Sequence, residues 1–189
     1  IKRLEDSHAT ILREKKSLED LSRSDPLTKL HNRRGFEKAM SMACQSWGEA
    51  PYALAMLDLD DFKTINDTYG HACGDLVLVR VAALIRKNVR RQDLSCRWGG
   101  EEFLVCYPDA SAQIVEEAAE RLRSAIAAYP MAFENNKIHV TVTIGTAICH
   151  GKADFDGTLS RADTALYRGK RSGKNVVVSG EESGPGDRP

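Results

Sequence analysis

A chain of 189 residues and 20.9 kDa, 42% hydrophobic and 29% charged, has the make-up of one globular domain with room for an appendage. It is long enough to bury a core without disulfides or metal. Its 27 Lys and Arg balance its 27 Asp and Glu, giving a formal net charge of zero, which argues against a general nucleic-acid or membrane-surface binder. No apolar run reaches the ~20 residues of a membrane span, and no signal peptide opens the chain. The five cysteines (Cys44, Cys73, Cys96, Cys106 and Cys149) are odd in number and show no C-x-x-C spacing. They read as buried thiols of a cytoplasmic protein rather than as a disulfide framework or a zinc site. The chain begins at Ile1 rather than Met, as a piece of a longer protein would.

Residues 1–24 are highly charged, with Ile1, Leu4, Ile11 and Leu18 in a heptad-like register interrupted by His8 and Lys15. Two readings are open: the end of a coiled-coil-like helical connector from an upstream domain, or a lone amphipathic helix docked on the core. Asp25-Pro26 ends that helix. A helix is predicted over 33–48 and a short buried strand over 52–58, followed by a helix from about Asp75 to Arg90 with Leu78, Ala82, Ile85 and Val89 on one face. Two strand-like runs, 94–98 and 102–107, flank a glycine pair and predict a hairpin. A helix from Ser111 to Tyr129 follows. Residues 138–144 then alternate Ile138, Val140, Val142, Ile144 against His139, Thr141, Thr143, the pattern of a half-buried strand. A helix from about Leu159 to Arg171 and a strand from Asn175 to Val178 close the domain, and the Gly/Ser/Pro/Glu-rich tail from Ser179 predicts disorder. The expected division is a connector over 1–24, a domain over 25–178 and a tail over 179–189. The order of elements predicts an α+β fold: a ferredoxin-like βαββαβ core whose central, mostly antiparallel sheet is flanked by helices.

Two acidic groups stand out. Asp58 and Asp60, at i and i+2 on a strand end, present two carboxylates to one face, which suits either a solvated strand end or a Mg²⁺ site. Gly99-Gly100-Glu101-Glu102 occupies the hairpin turn. Glycines there allow positive φ and a close approach of a phosphate or sugar, while adjacent carboxylates call for a cation. Read alone, the run is a charged exposed turn. Lying beside Asp58, it becomes a metal-assisted phosphoryl-transfer site. His71 stands alone and reads as structural, and Trp47 and Trp98 read as packing residues.

Several motifs now combine. In order they are Asp25-Pro26-Leu27-Thr28 with Leu30, Asn32, Arg33 and Arg34; Leu57-Asp58-Leu59-Asp60-Asp61-Phe62-Lys63; Ile65-Asn66-Asp67; Tyr69-Gly70-His71; Gly74-Asp75; Arg97-Trp98-Gly99-Gly100-Glu101-Glu102-Phe103; Ile144-Gly145; and Ala162-Asp163-Thr164-Ala165-Leu166-Tyr167. From Asp25 to about Val178 the chain resembles the GGDEF family of diguanylate cyclases, in the variant that reads GGEEF. The resemblance implies that two GTP condense to cyclic di-GMP with release of two pyrophosphates. Each subunit holds one GTP, so catalysis requires a homodimer.

By the same resemblance, Asp58, Glu101 and the Leu59 carbonyl bind Mg²⁺ or Mn²⁺, two ions per GTP. Asp58, Glu101 and Glu102 form the catalytic set, with the identity of the proton acceptor left open and turn completion the alternative for Glu102. Asn66 and Asp75 read guanine. A carboxylate accepts from N1–H and the 2-amino group together, a pair that adenine does not offer; Asp75 as a helix N-cap is compatible with that role. Lys63, Lys170 and Lys174 contact the triphosphate, and Phe62, Gly99 and Gly100 lie beside the substrate. Lys174 stands where Arg is usual and loses a bidentate fork. Gly169 replaces a common Ala, which predicts a helix end weakened by about 1 kcal/mol. Arg90 and Asp93 form the R-x-x-D of the family's inhibitory site for its product, with Arg121 as a further contact; a helix-end ion pair and a solvated helix charge are the plain alternatives. A catalytically silent nucleotide receptor of the same fold would have lost some of Asp58, Asn66, Asp75 or the turn acids, and none is lost. A purely structural dimerisation element leaves the convergent acids unexplained. Apart from an upstream sensor domain, the expected partners are GTP, cyclic di-GMP and a second copy, with no nucleic acid and no membrane contact.

Overall fold

The computed structural model describes residues 23–48, 50–149 and 154–180. The connector expected over 1–24 lies outside the described residues except for Arg23 and Ser24, which are not helical: Ser24 bridges His31 in antiparallel fashion. Of the expected tail, only Ser179 and Gly180 are described, and Ser179 ends a strand.

A six-stranded sheet runs in the order β1 (His31–Asn32), β3 (Leu94–Gly99), β4 (Glu102–Pro108), β2 (Tyr52–Leu59), β7 (Val142–Cys149), β8 (Val177–Ser179). The inner pairs β3–β4, β4–β2 and β2–β7 are antiparallel, and the two edge pairs are parallel. The helices are α1 (Arg33–Trp47), α2 (Phe62–Tyr69), α3 (His71–Asn88), α4 (Ala112–Ala128) and α5 (Phe155–Arg171). The path β2–α3–β3–β4–α4–β7 with spatial order β3-β4-β2-β7 is the split βαββαβ plan expected from the sequence. A small hairpin, β5 (Met131–Phe133) with β6 (Asn136–Ile138), precedes β7.

The strand β2 reads as a continuous apolar run because both faces of the sheet are covered. Ala53, Ala55, Leu57 and Leu59 face α2, α3 and α4 in one core, with Val77, Val81, Ile85, Leu122 and Ile126. Tyr52, Leu54 and Met56 face α1 and α5 in the other, with Phe36, Met40, Ala162 and Leu166. The same parity carries Asp58 to the α5 side and its partner Glu102 with it. The caps follow the expected chemistry: Asn32 Oδ1 accepts from Gly35 N at 2.8 Å and Ser111 Oγ from Ile114 N at 3.4 Å.

Four expectations need correction. Phe62–Tyr69 is a separate short helix. The next helix starts at His71, so Asp75 is not its N-cap but lies inside its first turns. The half-buried strand expected over 138–144 is instead the end of β6 followed by β7, which is buried at every position. Gly169 does not merely weaken α5. A Cβ there would come 2.6 Å from Thr143 Cγ2, so the missing side chain lets the helix end lie on β7.

Asp25 anchors the segment before α1. It accepts from Thr28 N and Thr28 Oγ1, both at 2.7 Å, and lies 3.4 Å from Arg97 Nη1. Burial pushes its carboxyl up, but the Thr28 hydrogen bonds and Arg97 outweigh this and hold it below the usual 3.8. A lowered folded-state pKa contributes stability that is fully present above 3.8 and is lost as pH falls below it. Asp25→Ala is therefore expected to cost about 1–3 kcal/mol at pH 7, the range for hydrogen bonds to a charged group. The deficit should shrink below pH 4 in urea titrations across pH.

Candidate active site

The end of β2 gathers the predicted acids. Asp58 pairs in register with Glu102 on β4 and Thr143 on β7, and Leu59 N donates to Glu101 O at 3.4 Å. On α5, Asp163, Leu166, Tyr167 and Lys170 share a face by helical spacing. They line a hollow of about 420 Å³ with Asp58, Glu102 and Thr164. Lys170 Nζ sits in the centre, 2.5 Å from Asp58 Oδ1, 2.7 Å from Asp60 Oδ1 and 3.2 Å from the carbonyl oxygens of Asp58 and Leu59.

The two aspartates that look alike in sequence do different work. Asp60 is buried and fully engaged. Its oxygens accept from Thr141 Oγ1 and Thr143 Oγ1, each at 2.7 Å, from Lys170, and from Asn175 N at 3.0 Å. Burial raises its carboxyl, and the bonds from Lys170, Thr143 and Thr141 reverse this to a net lowering. Asp60 is a brace, and Asp58 is the half-buried acid that faces the hollow. Burial raises the carboxyl of Glu101, reinforced by the charge of Asp58 and opposed by Lys170. Burial also raises Glu102, with Asp58, Asp163 and Glu101 adding repulsion. A crowd of carboxylates with raised proton affinity is the electrostatic condition that a cation relieves. The donor set of Asp58, Glu101 and the Leu59 carbonyl is hard oxygen throughout, as Mg²⁺ requires. An ammonium already rests on two of the oxygens involved. Among the described residues no three His, Cys, Asp or Glu side chains close a cage.

The glycine pair works by space rather than by twist. Neither Gly99 nor Gly100 has positive φ, against the expectation from sequence. A Cβ on Gly99 would meet Glu102 Oε2 at 2.8 Å, whereas one on Gly100 would enter open space. Arg97 pins this turn, its guanidinium donating to Gly100 O at 2.7 and 3.0 Å while reaching Asp25.

Asn66 and the pair Gly74-Asp75 lie at the α2–α3 corner. Asn66 Oδ1 fills the space that a side chain on Gly74 would need, and Asp75 follows, exposed. Phe62 is buried against Gly74, so its ring packs the corner. Lys63 is exposed on α2, and Lys174 pairs with Asp61 at 2.6 Å. Arg90, Asp93 and Arg121 do come together, lining a small hollow of about 80 Å³ with Tyr107 and Glu117. Asp93 Oδ2 accepts from Arg90 N at 2.6 Å, and burial raises its carboxyl despite both arginines. Trp98 packs edge-on against Phe36 at 6.2 Å, with Arg33 4.3 Å above its ring, and Trp47 packs against Tyr52. Sequence reading assigned no role to Asp163, Arg97, Thr141 or Thr143. The shared parity of the two threonines was the available signal. Among the described residues no helix is long and apolar enough to cross a membrane.

These features define an α+β domain with an acidic, lysine-bridged cleft at the ends of its central strands. A family model described as diguanylate cyclase, GGDEF domain, matches residues 22–176, and the chain belongs to that family. It is 38% identical over 164 residues to response regulator PleD of Caulobacter vibrioides, covering 84% of this chain and 36% of that protein. It is 40% identical over 154 residues to diguanylate cyclase DgcP of Pseudomonas aeruginosa, covering 80% and 23%. The chain thus spans well under half the length of either relative. The crystal structure of the GGDEF domain of DgcB from Caulobacter crescentus in complex with c-di-GMP superposes with a TM-score of 0.81 at 34% identity, covering 85% of this chain and 97% of that one.

Proposed function

We propose that this chain is a diguanylate cyclase that joins two GTP into cyclic di-GMP across a two-domain interface. The observation that carries the reading is the convergence of Asp58, Glu101 and Glu102 at one strand end around Lys170, in a chain of the GGDEF family. The ribose 3′-hydroxyl of one nucleotide attacks the α-phosphorus of the other. A P–O bond forms, pyrophosphate leaves, and the hydroxyl proton passes to a carboxylate, for which Glu102 beside Asp58 is the candidate. The reciprocal step closes the ring and releases the second pyrophosphate. Asp58, Glu101 and the Leu59 carbonyl would hold Mg²⁺ or Mn²⁺, two per GTP, which when bound offset the charge of the triphosphate and of the attacked phosphate.

Asn66 and Asp75 hold the guanine edge and reject adenine, because an acceptor that the bound base covers and leaves without its donor is costly. Lys63, Lys170 and Lys174 approach the phosphates, Lys170 while still held by Asp60. Gly99 and Gly100 keep the turn open, and Phe62 holds the guanine corner from behind. Incubating the purified chain with Mg²⁺ and GTP at several protein concentrations, with products separated by chromatography, tests the reading. Cyclic di-GMP whose specific rate rises with protein concentration supports it. Bound GTP with no product at any concentration overturns it.

Arg90, Asp93 and Arg121 form the product-binding inhibitory site in this reading. Arginine forks onto phosphate or guanine O6 and N7, and Asp93 accepts from the amino edge. Arg90→Ala is expected to raise the concentration of cyclic di-GMP needed for half-inhibition by about tenfold or more, the worth of one charge-assisted contact. Its uninhibited rate should be unchanged. Unaltered inhibition with full product binding would remove that role.

A further inference from the structure

We propose that Arg123, on the outer surface of α4 and outside every hollow described above, is a positioning residue for the acidic site. Gly173, Lys174 and Asn175 have φ of 121°, 64° and 47°, three successive residues in the left-handed region. Glycine takes that region freely, whereas Lys and Asn do so at a cost that surrounding contacts must offset. Lys174 is tied to Asp61 through its side chain. Asn175 is tied at both ends: Arg123 Nη1 donates to Asn175 Oδ1 at 2.5 Å, and Asn175 N donates to Asp60 Oδ2 at 3.0 Å.

Arg123 is itself aimed. Glu120, one helical turn back, accepts from its Nε at 2.8 Å and its Nη2 at 2.5 Å, and the Arg123 side chain is 18% exposed. A continuous set of hydrogen bonds therefore runs from Glu120 through Arg123, Asn175, Asp60 and Lys170 to Asp58. Its function is local and geometric. With Asn175 held left-handed, its N–H completes the donors on Asp60, and Asp60 fixes the ammonium that sets the position of Asp58. Without the Arg123 anchor, Asn175 relaxes toward negative φ, its N–H leaves Asp60, and Lys170 and Asp58 lose their fixed arrangement. A partner bonded directly to a metal ligand is commonly worth about 10- to 100-fold in activity, and Arg123, acting through Asn175 and Asp60 on that layer, falls at the low end.

The kinetic arm of the test rests on the cyclase reading, and the amide arm does not. In the nucleotide-free chain, exchange of the Asn175 amide with solvent, followed by NMR, is expected to quicken at least about tenfold in Arg123→Ala, as loss of a hydrogen bond to a charged group implies. With GTP and Mg²⁺, Arg123→Ala is expected to lower kcat by about 10-fold with KM little changed. Adding Asn175→Gly should restore most of kcat, because glycine takes positive φ without a side-chain anchor. Unchanged Asn175 exchange in Arg123→Ala overturns the proposal, and so does a loss of kcat that Asn175→Gly leaves in place. A parent chain that makes no cyclic di-GMP refutes the cyclase reading alone, and the amide exchange then decides this one.

Discussion

Glu101→Ala is expected to abolish cyclic di-GMP formation while leaving the fold as stable as the parent. Glu101 sits in the turn between β3 and β4, half-buried, with its carboxyl raised by burial and by the charge of Asp58. Among the described residues no hydrogen bond of its side chain supports the hairpin, which is held instead by the β3–β4 ladder and by Arg97 on the carbonyl of Gly100. Removing the carboxylate takes one negative charge from a repelling group, so the thermal midpoint should stay within about 2 °C, the scale of a substitution that touches no packed feature. Activity should respond differently. In the proposed function Glu101 is a metal ligand, whose loss forfeits several kcal/mol of transition-state charge stabilisation, and each 1.36 kcal/mol is tenfold in rate, so the fall should be on the order of 1,000-fold or more. The check is turnover of GTP beside a melting curve on the same preparation. Wild-type turnover would remove Glu101 from the metal set. A collapsed melting curve would make it a structural residue.

The parts of this molecule that were legible in the sequence are those fixed by local periodicity. The run Tyr52–Leu59 announces a buried strand, and its parity sends Asp58 and Glu102 to the α5 face. The hairpin and the long helices follow similarly. What escaped depends on where the chain turns after an element ends. Asp60 shares parity with Asp58, and both carboxylates do reach Lys170, but the strand ends at Leu59 and the chain turns left-handed at Asp61. The carboxylate of Asp60 then goes to two threonines that lie 81 and 83 residues further along the chain. The helix Phe62–Tyr69 is only eight residues long, too short for a 3.6-residue period to stand out, and Gly70 at φ 83° parts it from the next. The alternation over 138–144 looked half-exposed because Thr141 and Thr143 are polar, yet their hydroxyls are spent on Asp60 rather than on water. The glycine pair invited a reading from dihedral freedom, whereas what the site uses is the absent volume beside Glu102.

Asp60→Ala is expected to be the most destabilising single change in the site. Asp60 is 5% exposed and carries four donors, one of them the ammonium of Lys170. Truncating it leaves Lys170 on Asp58 but strips Thr141, Thr143 and the Asn175 amide of their acceptor, and several buried donors at about 1–3 kcal/mol each make about 3–5 kcal/mol in all. For a domain of this length that corresponds to a fall of roughly 10 °C in thermal midpoint. The neighbouring Asp61 supplies the contrast, since its 2.6 Å pair with Lys174 is equally short. Those side chains are 61% and 40% exposed, and solvent screening leaves such a pair worth little. Melting curves of Asp60→Ala and Asp61→Ala should therefore separate by most of that 10 °C. Equal midpoints would mean that Asp60 is not the brace of this site, and that Asp58 and Lys170 are held in place without it.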